Sequence, residues 1–252
     1  MISHLFDDWP AVLRRLRASR TIALFLDFDG TLARLRPRPD QVLLHGSVRQ
    51  VLSSLARCPR FRICVISGRR LDDVRDRIGV PRIHYLGLHG WEGHGEGLSE
   101  ETVRAIPRLR SEISAAMAEV PGIWVEDKRY AFSVHSRGVP QPDVGHARSL
   151  LAAVVTSSSR RFRVRTGNKV WEVLPRELGD KGVAVRRQLA LMPDPAAAVY
   201  VGDDPVDEPA FAALPDGVTV RVGRNTLTHA RYRLRNVAEV STFLHKLKEE
   251  FA

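Results

Sequence analysis

The chain has 252 residues, with 39 Lys and Arg against 29 Asp and Glu and a formal charge of +10, long enough for one large domain or a core carrying a smaller insertion. No run is long and apolar enough to span a bilayer, and the first twenty residues, with Asp7, Asp8 and four arginines, lack the apolar stretch of a signal peptide. A cytoplasmic protein with no membrane contact is expected. The positive charge raises a nucleic-acid reading, but all but five of the 39 basic residues are arginines scattered from end to end. The densest runs, 160–165 and 231–235, alternate basic with apolar residues as half-buried strands do, so no nucleic-acid partner is expected. The field serves instead to attract an anionic substrate.

Residues 5–18 predict an opening helix, with Leu5, Trp9, Val12, Leu13 and Leu16 on one stripe. Residues 21–26 predict an apolar strand that runs into Asp27-Phe28-Asp29-Gly30-Thr31. The period of two along a strand sends Asp27 and Asp29 toward one side, where two carboxylates repel each other and a metal cation is the usual remedy. Such a pair suits aspartyl-phosphate chemistry, with Asp27 as nucleophile and metal ligand and Asp29 moving protons; the plainer alternative is an Asp-Gly turn capped by Asp29. Helical spacing follows over 47–56, then a buried strand over 62–66 ending at Ser67-Gly68-Arg69, a helix over 71–78, and a strand over 83–88 ending at His89-Gly90. Cys58 and Cys64 are the only cysteines, and no further Cys or His completes a zinc site, so reduced thiols are expected.

The pattern then changes. Residues 99–120 predict one long helix in which Pro107 belongs to the first turns or marks the true start. Residues 123–126 and 130–135 make a hairpin across Asp127-Lys128-Arg129; 143–156 is a second helix; 162–165 and 170–174 make a second hairpin across 166–169. This doubled αββ unit predicts a small α+β domain over residues 91–174, inserted between residues 1–90 and 175–252. After it come a helix over 181–191, a strand over 197–201 ending at Gly202-Asp203-Asp204, a final strand over 218–222 and a closing helix over 240–250. Strands alternating with helices predict an α/β core with a parallel sheet, and Asp27, Ser67 and Asp203 each follow the C-terminal end of a strand, where such sheets bind ligands.

Four segments together, Asp27-x-Asp29-Gly30-Thr31, Ser67-Gly68-Arg69, Lys181-Gly182 and Gly202-Asp203-Asp204-x-x-Asp207-Glu208, resemble the motifs of the haloacid-dehalogenase-like phosphatase superfamily, in its order and strand context. The resemblance implies a Rossmann-like core. It implies that Asp27 attacks phosphorus, that Asp29 protonates the leaving oxygen and then activates water, and that Thr31 orients Asp29 or the phosphate. Ser67, Gly68 and Lys181 would bind the phosphoryl oxygens. Mg²⁺ would take carboxylate oxygens of Asp27 and Asp203 and the backbone carbonyl of Asp29, with Asp204 and Asp207 holding its waters or flanking it.

The inserted unit sits where a lid would close over the substrate. Within the superfamily, the strings Leu88-His89-Gly90, Glu126-Asp127-Lys128, Ser133-Val134-His135-Ser136-Arg137, Val170-Trp171-Glu172-Val173-Leu174-Pro175 and Asp180-Lys181-Gly182 look most like the trehalose-6-phosphate phosphatase family, over about residues 21–245. That likeness implies a sugar-phosphate substrate with Glu126, Lys128 and Glu172 on the distal glucose, His89 beside the substrate and Arg137 reaching the phosphate. The alternatives are a phosphatase for another sugar phosphate or a glycosyl-phosphoglycerate and, more remotely, a basic nucleic-acid-binding protein on a retired phosphatase fold. No obligate protein partner is evident.

Overall fold

The computed structural model describes residues 2–93, 97–158, 160–167, 169–192, 196–224 and 227–252. Two compact units emerge, one of Met1–His94 with Gly179–Ala252 and one of Gly95–Leu178. None of the described helices is long and apolar enough to cross a membrane.

The first unit begins with strand β1 (Ser3–His4), helix α1 (Trp9–Ala18), β2 (Ile22–Leu26), α2 (Gly46–Arg57), β3 (Phe61–Ile66), α3 (Leu71–Ile78) and β4 (His84–Leu86). The second unit consists of α4 (Glu100–Ala118), β5 (Trp124–Asp127), β6 (Phe132–His135), α5 (Gln141–Ser157), β7 (Phe162–Gly167) and β8 (Val170–Pro175). The chain then returns to the first unit with α6 (Lys181–Ala190), β9 (Ala197–Gly202), α7 (Glu208–Ala212), β10 (Val218–Val222), β11 (Tyr232–Leu234) and α8 (Val237–Phe251).

In the first unit seven parallel strands form one sheet in the order β1-β11-β10-β9-β2-β3-β4. The central strand β2 is buried at every position, as a strand covered on both faces must be. Its alternation divides the core. Ile22, Leu24 and Leu26 pack with residues of α1, α2, α3 and α8, whereas Ala23 and Phe25 pack with residues of α6 and α7. Three sequence expectations change here. The opening helix starts at Trp9 rather than Leu5, because Pro10 occupies its first turn and Ser3–His4 pairs with β11 instead. The strand 218–222 is not the last, since β11 lies in the alternating run 231–235. The run 83–88 ends early, its last residues turning into a 3-10 segment, Leu88–Gly90.

The second unit is a four-stranded antiparallel sheet, β5-β6-β8-β7. Phe132, Val134, Phe162, Trp171 and Val173 cover one face and pack with Ile106, Leu109, Ile113 and Met117 of α4 and Ala147, Leu151 and Val155 of α5. The doubled αββ unit is therefore one sheet with two helices. Pro107 lies inside α4, which starts at Glu100, so of the two expectations, a place in the first turns or the true start, the second does not hold. Ser99 caps α4 through the Thr102 N–H, and Pro107, which has no N–H, leaves the Val103 carbonyl without its helical donor. Residues 175–178 go with this unit because Arg163 donates to the Leu178 carbonyl at 2.6 Å, the Arg176 N–H to the Arg161 carbonyl at 2.7 Å, and Glu177 binds the start of α4. Asn168, which the sequence assigns to the connection between the strands of the second hairpin, lies outside the described residues.

Candidate active site

Asp27 follows β2 directly, and its N–H continues the ladder onto the Val201 carbonyl of β9 at 3.0 Å. Lys181 opens α6, whose N-cap Asp180 accepts from the Val183 N–H at 3.0 Å. Gly182 is required beside it: a Cβ there would lie 2.4 Å from the Pro209 carbonyl oxygen of α7. The Lys181 ammonium, 1% exposed, donates to Asp27 Oδ1 at 2.6 Å and to Asp207 Oδ1 at 2.7 Å. Asp203 follows β9 and folds over Gly30, which has φ +84° and no room for a side chain, since a Cβ would meet the Asp203 carboxylate at 2.1 Å.

Charge at this centre is unbalanced. Oxygens of Asp27, Asp203 and Asp207 lie within 4.8 Å of one another, with the single cation of Lys181 bonded to two of the three carboxylates. Burial, partly countered by Lys181 and reinforced by Asp207 and Asp29, raises the Asp27 carboxyl to about 7. Burial and the neighbouring Asp27, Asp207 and Asp204 raise Asp203 well above the usual carboxylate range. Burial alone would depress the Lys181 ammonium, but Asp207 and Asp27 override it and hold the amine charged. A hard cation with oxygen ligands is what this donor set lacks, so the residues fit a divalent metal.

The acidic residues divide by what already occupies their oxygens. Asp207 Oδ1 accepts from Lys181 and from the Tyr200 hydroxyl at 2.8 Å, while Oδ2 accepts the Asp204 N–H at 2.9 Å. Asp204 accepts the Val206 N–H in a reciprocal capping box with Asp207. Asp203 receives only the Thr31 hydroxyl, at 3.2 Å, among the described hydrogen bonds. The Thr31 hydroxyl thus reaches Asp203, rather than Asp29, among the described hydrogen bonds.

Asp29 is gripped rather than free. Arg69 Nε and Nη2 donate to its two oxygens at 2.7 Å each. Ser67 is fully buried at the end of β3, its Oγ accepting the Arg69 N–H at 3.1 Å, and Gly68 stands between them. The Ser67 carbonyl accepts the His89 N–H at 2.8 Å, which keeps His89 buried beside that turn with φ +60°, a backbone region costly for a side chain other than glycine.

In the second unit, strand register places Trp124, Glu126, Ser133, His135, Glu172 and Arg165 on the sheet face opposite its helices. Glu126 pairs across to Ser133, Ser133 to Glu172 and Glu172 to Arg165, one row across four strands. Lys128 Nζ lies 3.2 Å from Glu172 Oε1, both residues buried, and His135 Nε2 lies 2.9 Å from Glu126 Oε2 under a Trp124 ring stacked at 4.0 Å. Glu126, Lys128 and Glu172 are therefore brought together, whereas Arg137 is exposed on the turn after β6.

The family profile described as trehalose-phosphatase matches residues 25–236. The chain belongs to the trehalose-phosphatase family. Trehalose-phosphate phosphatases of Mycobacterium marinum and Mycobacterium tuberculosis are 33% and 35% identical to it over 91% and 92% of the chain. The chain spans 62% of the length of each of these curated relatives. The C-terminal domain of the Candida albicans trehalose-6-phosphate phosphatase shares the fold, with a TM-score of 0.84 at 20% identity over 99% of this chain and 98% of that one. The structure places the expected acids at strand ends and adds two partners not expected from the sequence, Arg69 on Asp29 and Tyr200 on Asp207. Arg69 was in plain view two residues past Ser67, and Tyr200 was the one polar ring in the apolar run 197–201, where a buried hydroxyl demands a partner.

Proposed function

We propose that this chain is a Mg²⁺-dependent phosphoric monoester hydrolase that converts trehalose 6-phosphate to trehalose and phosphate. The observation that carries the reading is Asp27 bonded to Lys181 at 2.6 Å beside Asp203 and Asp207, at strand ends of a trehalose-phosphatase family chain. An Asp27 oxygen attacks phosphorus while the bond from phosphorus to the sugar oxygen breaks, and Asp29 delivers a proton to that oxygen. Water then attacks the phosphoaspartate, gives its proton to Asp29, and releases phosphate from a regenerated Asp27 carboxylate. Lys181, Ser67 and Gly68 hold the phosphoryl oxygens, with Lys181 also keeping Asp27 aimed. Asp27, Asp203 and the Asp29 carbonyl would hold Mg²⁺; Asp207, with both oxygens occupied, and Asp204, used as a cap, support it from behind. Bound there, the cation offsets the crowded negative charge and that of the transferring phosphoryl group.

The sugar is assigned to the second unit, with Glu126, Lys128 and Glu172 on the distal glucose. Glu126 and Glu172 share one sheet face and Lys128 Nζ lies 3.2 Å from Glu172, a polar cluster that favours a polyhydroxylated ligand. Arg137 and His89 complete the assigned contacts to phosphate and substrate. Phosphate release from trehalose 6-phosphate, set beside other sugar phosphates and a glycosyl-phosphoglycerate, with Mg²⁺ and with EDTA, tests the reading. Rapid release from trehalose 6-phosphate only, abolished by EDTA, is expected. Preference for another ester would replace the substrate, and no release from any would remove the activity.

A further inference from the structure

Arg69 holds Asp29 by a fork that is itself held at every corner. The side chain is 6% exposed. Its Nε and Nη2 donate to the two Asp29 oxygens at 2.7 Å, Nη2 also donates to the Pro39 carbonyl at 2.9 Å, and Nη1 donates to Asp73 at 2.8 Å. Asp73 is in turn gripped by Arg77 at 2.8 Å, and Arg77 donates to the Val42 carbonyl at 2.7 Å. The guanidinium also lies 5.5 Å from the centre of the Phe28 ring, next to Asp29 in sequence. The Arg69 backbone is pinned as well, its N–H to Ser67 Oγ and its carbonyl to the Leu88 N–H at 2.8 Å.

Four of the five N–H groups of the guanidinium are thus used, which leaves it little capacity to bind a phosphoryl oxygen without breaking the fork. A planar fork fixes the plane of the carboxylate it binds, as a lysine's single point charge does not. Asp29 keeps one lone-pair site on each oxygen and 30% exposure of its side chain, so it meets substrate from a fixed direction. We infer that Arg69 is a positioning residue that acts through Asp29, locking the proton-transferring carboxylate in the orientation that serves the leaving oxygen. The inference rests on the phosphatase reading above.

Positioning a general acid matters most where the leaving group is poor. A sugar alkoxide needs a proton as its bond to phosphorus breaks, whereas a nitrophenolate leaves unaided. The test compares the wild type with Arg69→Met, Arg69→Lys and Asp73→Asn on trehalose 6-phosphate, a simple alkyl phosphate and a series of aryl phosphates. Arg69→Met is expected to lose about 10²-fold on alkyl esters and less than about tenfold on para-nitrophenyl phosphate, steepening the dependence on leaving-group acidity. Arg69→Lys should fall between, and Asp73→Asn, which loosens only the outer support, should steepen the dependence slightly, so a failure of Arg69→Met to fold leaves two variants that decide. Arg69→Met combined with Asp29→Asn should be no slower on alkyl esters than Asp29→Asn alone. Equal losses on alkyl and aryl esters, or additive losses in the double variant, would overturn the inference. A wild type active on simple esters but not on trehalose 6-phosphate overturns the substrate reading alone, and one inert on every ester overturns both.

Discussion

Asp27 and Asp203 answer differently to the same crowding. Asp27→Asn keeps the shape but removes the attacking oxygen's charge, so turnover is expected to vanish while the metal-free protein melts no lower than wild type, and higher at alkaline pH; near-normal phosphate release would exclude the covalent route. Asp203→Asn removes a carboxylate whose only described hydrogen bond is from Thr31. The metal-free variant is expected to melt higher than the metal-free wild type and to gain less from Mg²⁺ in a thermal melt. The sign of the pH effect follows from Asp27. Its carboxyl is raised from 3.8 to about 7 in the fold, so the folded state holds the proton where the unfolded state has lost it. Stability of the metal-free protein therefore falls as pH rises between these values, and Mg²⁺ should raise the melting temperature more at about pH 8 than at about pH 5.5. A larger Mg²⁺ effect at the lower pH would contradict this account of the centre.

At the scale of elements, α4 depends on a residue far along the chain. Glu177 accepts the Ser99 N–H at 2.8 Å, the Ser99 hydroxyl at 2.7 Å and the Thr102 hydroxyl at 2.6 Å. The Thr102 and Ser99 hydrogen bonds hold its carboxyl below the usual range, so its stabilisation is present above that range and is lost as pH falls through the lowered value. Glu177→Gln should cost about 0.5–1 kcal/mol at neutral pH, its exposure and solvent screening keeping the loss small, and the two proteins should converge in acid melts. This cap was invisible in sequence, where Ser99 was legible as a helix start but nothing linked it to a residue beyond the second hairpin. Most longer elements were legible because hydrophobic period sets them: 71–78 and 218–222 match to the residue. Pro107 misled because the packing of α4 on its sheet overrides local propensity, and β1, two residues long, carries no period to read.

Across the whole molecule, the parallel sheet and the inserted α+β unit were both legible, and so were the acids at strand ends, because alternation and loop position are local signals. Which of many arginines would fold back on Asp29 was not, since partner choice is settled by tertiary packing. The row Glu126, Ser133, Glu172 and Arg165 shows the same division, as strand faces follow from sequence and register does not. If that face binds the distal glucose, replacing Glu126, Lys128 or Glu172 by Ala should lower kcat/KM for trehalose 6-phosphate by about 10–100-fold and leave para-nitrophenyl phosphate nearly unchanged, because remote contacts position the reacting group. Equal losses on both substrates in steady-state assays would assign these residues to folding, and no loss on either would remove them from sugar recognition.

The short β1 has a consequence for how copies of this chain behave toward one another. Ser3–His4 covers the outer edge of β11, with Leu5 N–H on the Arg233 carbonyl at 3.0 Å, the Leu5 side chain buried, and His4 Nε2 2.8 Å from Glu239. Take those residues away and β11 offers a row of unpaired N–H and carbonyl groups, the template on which strands of separate molecules join. A chain shortened to begin at Trp9 is expected to keep its turnover in dilute solution while its light scattering climbs with concentration. The two-residue strand β1 and the buried Leu5 behind it would then be what keeps separate copies of the chain apart.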